Sequence, residues 1–311
     1  MSTTDIYRVF AERETRGVSP AYERLSRAVA GDPELLALLD TLPPAKRQPN
    51  LLFGVVRLRG GPVDDPAAFR AYVIAHWPDV AVQMRVRATQ TNEAGRCAVL
   101  LPVLAALPQP LALLEVGASA GLCLYPDRYA YRYGDRHLGG GEPVLDCDLT
   151  GAEPPRRRPA VVWRAGLDVN PLDVTAPADV AWLDALIWPE HRHRRERLRA
   201  AAAIAAADPP LLVRGDLVDD LPALAAQAPP GATLVVFHSS VLYQVPPPRR
   251  DAFTALVRSL PGHWIANEDP SVLPHGALPE LPADGFHNVL ALDGHPVAWT
   301  TGHGQSLTWF R

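Results

Sequence analysis

Apolar residues recur at helical spacing through the first part of the chain. Ile6, Val9 and Phe10 begin the pattern, and a similar spacing runs through residues 69–87. Apolar positions three and four residues apart lie on one face of a helix, which a globular protein buries. The pattern predicts a helical N-terminal subdomain over residues 1–95.

From Leu111 onward, short apolar runs alternate with segments of helical pattern. The predicted strands are 111–116, 161–167, 211–214, 233–238 and 263–267. A helix is predicted just before this part, at 94–107, and the helices within it are predicted at 178–187, 192–207, 221–227 and 248–259. Continuous apolar strands separated by helices are typical of a parallel sheet that is covered on both faces. The proline-rich stretch 269–285 is predicted to be a long ordered loop or a lid.

The C-terminal segments have strand patterns without helices between them. Asp293-Gly294 separates two runs, 286–292 and 296–301, and is a dipeptide typical of tight hairpins. A third strand is predicted over 306–310. Residues 96–311 are therefore predicted to form an α/β domain whose mostly parallel sheet ends in antiparallel strands.

Charge and composition narrow the class of protein. The chain has 34 acidic and 30 basic residues, a net charge of −4, which gives no electrostatic basis for a nucleic acid partner. Cys97, Cys123 and Cys147 are odd in number and widely spaced, so we expect neither a disulfide framework nor a metal site. Residues 1–16 lack a signal-peptide pattern, and prolines interrupt the apolar stretch 98–114. We therefore expect a cytoplasmic protein without a membrane partner.

The most distinctive motif follows the first predicted strand and spans residues 115–121, Glu-Val-Gly-Ala-Ser-Ala-Gly. Glycines let the backbone approach a ligand closely, and a helix that starts directly after the loop would offer its free N–H groups to a cofactor. The same residues match G-x-S-x-G, the nucleophile elbow of α/β-hydrolases. Taken alone, the motif is compatible with both interpretations.

Together with four further segments, this motif resembles a bacterial family, the methyltransferase-like domain of unknown function 2332 family. The other segments are 90–93, 164–173, 187–190 and 237–242, so the resemblance covers nearly the whole chain. The run 115–121 by itself is similar to the first motif of class I S-adenosylmethionine-dependent methyltransferases. The resemblance implies a methyltransferase-like, Rossmann-like fold, with S-adenosylmethionine as cofactor and S-adenosylhomocysteine as product.

The resemblance also implies roles for the residues of the motif. Glu115 would help to hold the methionine amino end of the cofactor. The cofactor would lie against the loop residues Gly117, Ala118, Ser119 and Gly121. Methyltransferases usually have glycine at the position of Ser119, so its side chain stands where the backbone should approach the cofactor.

Acids at the ends of the next two strands would bind the nucleoside part of the cofactor. Asp168 matches the family pattern at the second strand and would accept hydrogen bonds from the ribose hydroxyls, which makes 129–160 an inserted hairpin. Asp135 is closer to the usual spacing of about twenty residues, and a turn-capping role for Asp168 is the structural alternative. Asp216, followed by Leu217, would accept a hydrogen bond from the adenine amino group or cap the next helix.

The end of the fourth strand would meet the methyl acceptor. His238 is the candidate general base because its ordinary pKa is close to working pH, although a buried structural histidine fits equally well. Tyr243 is a candidate for the acceptor pocket. Asn92, Glu93 and Arg96 are too polar for an ordinary core. They are candidates for lining the substrate site, or they form a helix-capping network with Asn92 or Thr91 as the N-cap.

Ser119, Asp216 and His238 also occur in the chain order of an α/β-hydrolase triad. The helical region before Leu111 disfavours a hydrolase, and so does the lack of a glycine-rich oxyanion segment ahead of Ser119. The sequence therefore predicts a methyltransferase that uses S-adenosylmethionine, acts on a small-molecule acceptor and needs no metal ion. A non-catalytic binding protein with the same fold is the main alternative, a hydrolase the weaker one, and the oligomeric state stays open.

Overall fold

A computed structural model of the chain describes residues 1–282 and 285–310. Its helices are α1 (Thr3–Val9), α2 (Pro20–Ala30), α3 (Pro33–Asp40), α4 (Pro49–Leu58), α5 (Pro66–Ala75), α6 (Trp77–Val86), α7 (Cys97–Ala106), α8 (Pro177–Leu186), α9 (Arg192–Ala207), α10 (Leu221–Ala225) and α11 (Pro247–Ser259). Its strands are β1 (Leu111–Val116), β2 (Ala130–Tyr133), β3 (Arg136–Leu138), β4 (Val144–Asp146), β5 (Asp148–Thr150), β6 (Val161–Asp168), β7 (Leu211–Arg214), β8 (Thr233–Ser239), β9 (His263–Glu268), β10 (His287–Leu292), β11 (His295–Thr301) and β12 (Ser306–Trp309).

The described residues form two compact units. The first unit comprises Met1–Thr91 and Ala176–Glu196, and the second comprises Asn92–Thr175 and the described residues from Arg197 onward. The sequence pattern placed a single division after residue 95 and assigned α8 to the α/β part. In the structure α8 packs on α4, because a helix pattern predicts an apolar face without predicting which element will cover it.

Capping residues explain where three helices of the first unit, α2, α3 and α5, begin. Ser19, Asp32 and Asp65 each accept hydrogen bonds from N–H groups of the first turn, and each precedes a proline at the first helical position. Proline suits that position because its fixed φ is helical and its missing N–H would have no partner there. The core of this unit centres on Phe53, whose ring lies 4.7 Å from that of Tyr22.

The second unit is built on a nine-stranded sheet with the order β5-β12-β11-β10-β9-β8-β1-β6-β7. Strands β9, β8, β1, β6 and β7 are parallel to one another. Numbered among themselves along the chain, these parallel strands have the spatial order 3-2-1-4-5. The order reverses between β1 and β8, and ligands of open α/β sheets bind at the carboxyl ends of the strands at such a point.

Antiparallel strands complete one side of the sheet. Strand β10 pairs directly with β9, and β11 and β12 follow in antiparallel register. The β10–β11 turn has positive φ at both Asp293 (52°) and Gly294 (82°), the geometry of the hairpin turn that this dipeptide favours. The predicted antiparallel C-terminal strands are confirmed, and the protein is a mixed α/β structure with a large, mostly parallel sheet.

Strands β2, β3 and β4 form a separate small sheet between β1 and β6 along the chain. One face of the large sheet carries an apolar core that includes Leu114, Val236, Phe253 and Trp264. Of the predicted loop 269–285, residues 283 and 284 lie outside the described residues, as does residue 311 of the predicted domain. Residues 269–282 contain no helix or strand. Over the described parts of the chain, no helix has both the length and the apolar character that crossing a bilayer requires.

Candidate active site at the carboxyl ends of the parallel strands

The motif that follows β1 forms a loop, here called the glycine loop (residues 117–121), at the point where the strand order reverses. Gly117 and Gly121 both have a φ of 71°, a left-handed conformation that glycine adopts without strain. The prediction that a helix begins directly after this loop is wrong. A 3-10 turn, Leu122–Leu124, follows instead. Pro126 comes soon afterwards, and because proline disfavours helical geometry in the residue before it, the turn does not extend.

Side chains from neighbouring segments hold the glycine loop in place. Asn92 Nδ2 donates a hydrogen bond to the carbonyl oxygen of Ala118 (3.2 Å), and Asn92 Oδ1 accepts one from the N–H of Leu122 (2.9 Å). Asp168 Oδ2 accepts a hydrogen bond from the N–H of Ser119 (2.7 Å). The structure therefore brings these predicted residues together, with Asn92 and Asp168 positioning the loop.

Protein atoms pack closely against both glycines of the loop. A Cβ atom on Gly117 would lie 2.4 Å from Cγ2 of Val241, and one on Gly121 would lie 3.0 Å from Cγ of Pro210. Ala118 in turn packs against Gly166, where a Cβ would lie 2.5 Å from that of Ala118. These glycines are required by the packing of the loop against its neighbouring strands, so they are not by themselves evidence for a ligand.

Gly117→Ala should lower the free energy of unfolding by about 2–4 kcal/mol, because it combines a left-handed alanine with an overpacked contact. Adding Val241→Ala should restore about half of the loss, because it removes the two closest atoms, Cγ1 and Cγ2, and leaves the backbone strain. Gly134 has a φ of 56° and open space around its Cβ position, so Gly134→Ala is the control for strain alone. Urea unfolding followed by tryptophan fluorescence measures all of these variants. Equal losses in Gly117→Ala and Gly134→Ala would contradict the packing argument.

Glu115 is the strongest candidate for a ligand-binding residue. Its side chain lies at the end of β1, is only 4% exposed, and has an Oε2 atom without a hydrogen-bond partner. Burial raises the pKa of Glu115 well above its ordinary value, and Cys123 and Asp168 add to that effect while Arg96 opposes it. A buried carboxyl oxygen without a partner is costly for the free protein, and this cost indicates a group selected for a purpose other than stability.

Ser119, four residues farther on, is a second buried residue with an unpartnered polar atom. Its Oγ is buried and without a partner, and its φ is +50°, which is strained for a residue other than glycine. Ser240, in the loop that follows the neighbouring strand β8, is also left-handed with a φ of +55°. Strained residues therefore occur after both strands that flank the reversal of strand order.

Arg96 is a buried charge at this site. Its Nη1 donates to the carbonyl oxygen of Ser239 (2.9 Å) and its Nε donates to that of Gly302 (3.0 Å). The side chain is 8% exposed, and within the described residues it forms no ion pair. It influences the pKa of Glu115 without hydrogen bonding to it. The site thus contains a buried carboxyl and a buried guanidinium that do not neutralise each other by direct contact.

Asp168 and Asp216, the two acids expected to bind the nucleoside, accept hydrogen bonds from backbone N–H groups instead. Besides the bond to Ser119, Asp168 accepts a hydrogen bond from the N–H of Asn170 (2.7 Å). Asp216 accepts from the N–H of Val218 (2.7 Å) and forms an ion pair with Arg249. Partial burial would raise the pKa of Asp216, but these hydrogen bonds and the guanidinium outweigh it and lower the pKa. Asp168 thus has the turn-capping role that the sequence left as the alternative, whereas Asp216 caps the turn before α10 and not the helix itself, whose N-cap is Asp220.

The structure also locates three other residues that the sequence analysis discussed, Asp135, Leu217 and Glu93. Asp135 lies in the β2–β3 hairpin turn and is exposed, away from the end of any strand of the large sheet. Leu217 packs against the apolar core. Glu93, not Asn92, caps the 3-10 turn before α7 through the N–H of Gly95, and it also pairs with Arg197 (2.6 Å).

His238 is a structural residue in this geometry. Its ring is fully buried, Nε2 accepts a hydrogen bond from the indole N–H of Trp264 (3.0 Å), and Nδ1 lies 2.7 Å from Oε1 of Glu268. Because the indole can only donate, the proton of the neutral ring is on Nδ1 and is donated to Glu268. Neither nitrogen is available to remove a proton from an acceptor. Tyr243 is 61% exposed and lies in the 3-10 turn after β8.

A serine hydrolase triad is not assembled. The Oγ of Ser119 has no hydrogen-bond partner, whereas a triad serine is bonded to its histidine. His238 pairs with Glu268 and Asp216 pairs with Arg249, so the three residues that match the triad in chain order serve three separate structures. The structure therefore does not bring Ser119, Asp216 and His238 together as a hydrolase triad.

Sequence reasoning missed a buried polar network at the ends of β8, β9 and β11. Asn267 Nδ2 donates to Oγ of Ser239 (3.0 Å), and Thr300 Oγ1 donates to Oδ1 of Asn267 (2.6 Å). Glu268 also accepts hydrogen bonds from the N–H groups of Val241 and Leu242. The signal was present, because Asn267-Glu268 ends an apolar strand at the same edge as the other site residues.

Comparison with known proteins adds the family of the chain. Neither the curated proteins nor the solved structures gave a match. The model of one family, described as an uncharacterized protein conserved in bacteria (DUF2332), matches residues 4–309. The chain, which places a buried acid and a buried arginine at the point of strand reversal, belongs to this bacterial family.

Proposed function

We propose that this protein binds S-adenosylmethionine at the carboxyl ends of β1 and β8 and transfers its methyl group to a small-molecule acceptor. The observation that carries the proposal is the buried carboxyl of Glu115, whose Oε2 has no partner in the protein. In methyltransferases that the motif resembles, the acid at this position holds the ammonium group of the cofactor. An ammonium group would supply both the hydrogen bond and the counter-charge that Glu115 lacks.

Arg96 is the proposed partner of the α-carboxylate at the amino acid end of the cofactor. The cofactor carries an α-carboxylate beside its α-ammonium, and Arg96 is a buried guanidinium without an ion pair among the described residues. A buried guanidinium without a counter-charge is costly, and because the pKa of Glu115 is raised, its ionised form also needs a partner of opposite charge. A zwitterionic ligand between Glu115 and Arg96 would pair both. The same pair of residues would disfavour ligands that lack either charge.

The topology supports the same location. The parallel strands have the order of doubly wound nucleotide-binding sheets, and Glu115 ends the strand beside the reversal. Support for the nucleoside contacts is weaker. Asp168 and Asp216 already accept hydrogen bonds from backbone N–H groups, and Val241 covers Gly117. We therefore propose that the protein recognises the cofactor mainly by its amino acid end.

When bound, the cofactor supplies a methyl group that is already activated by the sulfonium, so the protein contributes mainly position and orientation. His238, the general base that the sequence suggested, has both ring nitrogens engaged. We therefore favour an acceptor that is nucleophilic without assistance, such as a thiolate or an unprotonated amine.

Isothermal titration calorimetry with S-adenosylmethionine and S-adenosylhomocysteine tests the proposal. Both should bind with one site per chain, and 5′-methylthioadenosine, which lacks the amino acid end, should bind far more weakly. Equal binding of all three would overturn the assignment to Glu115 and Arg96, and no binding of any would overturn the proposed function. Binding without methyl transfer to a panel of thiols and amines would favour the non-catalytic alternative.

A further inference from the structure

A polar groove lies on the second unit, where the chain leaves the 3-10 turn after β1 and again where it enters β6. Its volume is about 640 Å³, and it is lined by Asp127, Arg128, Arg158 and Pro159. None of these residues takes part in the site at the end of β1. The groove combines guanidinium groups with few apolar atoms, which is the lining expected for a charged ligand and not for an apolar one.

One of the lining residues, Asp127, is neutralised by an ion pair with Arg164. Arg164 holds Asp127 with two hydrogen bonds, Nη1–Oδ1 at 2.9 Å and Nη2–Oδ2 at 2.7 Å. The guanidinium of Arg164 also lies 4.8 Å above the ring of Tyr125. This two-point pair fixes the orientation of Asp127 and offsets its charge, so the carboxylate does not exclude an anion from the groove.

Arg158 is positioned by the fold. Its Nη1 donates to the carbonyl oxygen of Tyr129 (3.3 Å), and in the described part of the chain it has no carboxylate partner. Gly139, with a φ of +79°, allows this position, because a Cβ there would lie only 3.0 Å from Nη1 of Arg158. A guanidinium held by a neutral carbonyl retains its full charge and its other donors for a ligand.

Arg128 brings a second guanidinium to the groove. Its contacts with Asp127 (3.4 Å) and Asp208 (3.5 Å) are long, and its side chain is 54% exposed. Exposed ion pairs at such distances are weak and are easily exchanged for a better partner. The arginines here, 128, 158 and 164, outnumber the acids, 127 and 208, by one positive charge.

We propose that the groove binds the phosphate group of a small molecule between Arg128 and Arg158. A phosphate offers several acceptor oxygens with a charge near two, so it can engage two guanidinium forks at once, which a single carboxylate does less well. No covalent step is involved. The site is separate from that of the proposed methyl transfer and does not depend on it.

Titration calorimetry with pyrophosphate, at low and at moderate salt, tests this proposal. The parent protein should bind one pyrophosphate more tightly than acetate, and Arg158→Gln and Arg128→Gln should each weaken binding about tenfold. Arg158→Lys should recover part of the loss, because it keeps the charge and not the fork. Arg132→Gln is the control, since Arg132 belongs to the adjacent small sheet and pairs with Asp146.

The binding of S-adenosylhomocysteine should be the same in the parent and in Arg158→Gln, so failure at one site is distinguishable from failure at the other. The proposal is overturned if pyrophosphate gives no saturable heat. It is equally overturned if Arg128→Gln and Arg158→Gln bind pyrophosphate as Arg132→Gln does, provided that circular dichroism shows all three variants folded.

Discussion

Glu115→Gln is expected to weaken S-adenosylhomocysteine binding by about a hundredfold or more while leaving the protein at least as stable as the parent. Glutamine keeps the size of the side chain but cannot offer a negative charge to an ammonium group. Loss of one partner of a buried charge pair costs binding free energy of about 2–5 kcal/mol. In the free protein the same change removes a buried carboxyl whose Oε2 has no partner, so stability should not fall.

The stability of the parent and that of Glu115→Gln should also depend differently on pH. Burial raises the pKa of Glu115 above its ordinary value of 4.5, so over the interval above that pH the folded state keeps a proton that the unfolded state has lost. The stability of the parent should therefore fall, relative to Glu115→Gln, as pH rises from 4.5 through the folded pKa. Chemical unfolding of both proteins over a range of pH measures this difference.

Ser119→Gly is the matched control for the glycine loop. It removes a strained left-handed residue and an unpartnered hydroxyl, so it should raise stability by about 1 kcal/mol and retain ligand binding. Calorimetry in buffers of different ionisation enthalpy adds a further readout, because an ammonium ligand that requires ionised Glu115 releases its proton. If Glu115→Gln binds S-adenosylhomocysteine as tightly as Ser119→Gly does, Glu115 has no role in recognition.

Glu268→Ala should be the most destabilising single change at this edge of the sheet, with an expected loss of about 3–5 kcal/mol. The carboxylate is 1% exposed and accepts hydrogen bonds from the ring of His238 and from the N–H groups of Val241 and Leu242. Alanine would leave three donors, two of them buried, without an acceptor and a cavity beside them.

Glu268→Gln, which keeps one acceptor oxygen, should lose about 1–2 kcal/mol, and Glu280→Ala, at an exposed position, should change stability little. Urea unfolding measures the series. A loss for Glu268→Ala no greater than that for Glu280→Ala would show that the hydrogen bonds to Glu268 contribute nothing net.

Several elements were predictable because they have strong local patterns. The predicted bounds of β1 (111–116), β7 (211–214) and α9 (192–207) agree with the structure residue for residue. Apolar runs, helical spacing and the Asp293-Gly294 turn are local properties, so a single sequence contains them. The glycine loop was harder, since the 3-10 turn after it depends on Pro126 and on packing against other strands.

The partners of the polar residues could not be predicted in the same way. Asp168, Asp216 and His238 occur at the predicted strand ends, yet each is committed to a hydrogen-bond partner that sequence spacing does not identify. Arg96 and Glu115 show the opposite case. Both are polar residues in apolar surroundings in the sequence, and only the structure shows which of their atoms lack a partner.

The return of residues 176–196 to the first unit has a consequence for how the chain can be divided and how it folds. Helix α8 covers α4, where Gly54 lies so close to Trp182 that a Cβ would come within 3.3 Å of the indole. A fragment that stops at residue 95 would leave that surface of α4 exposed to water. The first unit therefore cannot be completed until β6 of the second unit has been synthesised, and the two units are expected to mature in an interleaved order.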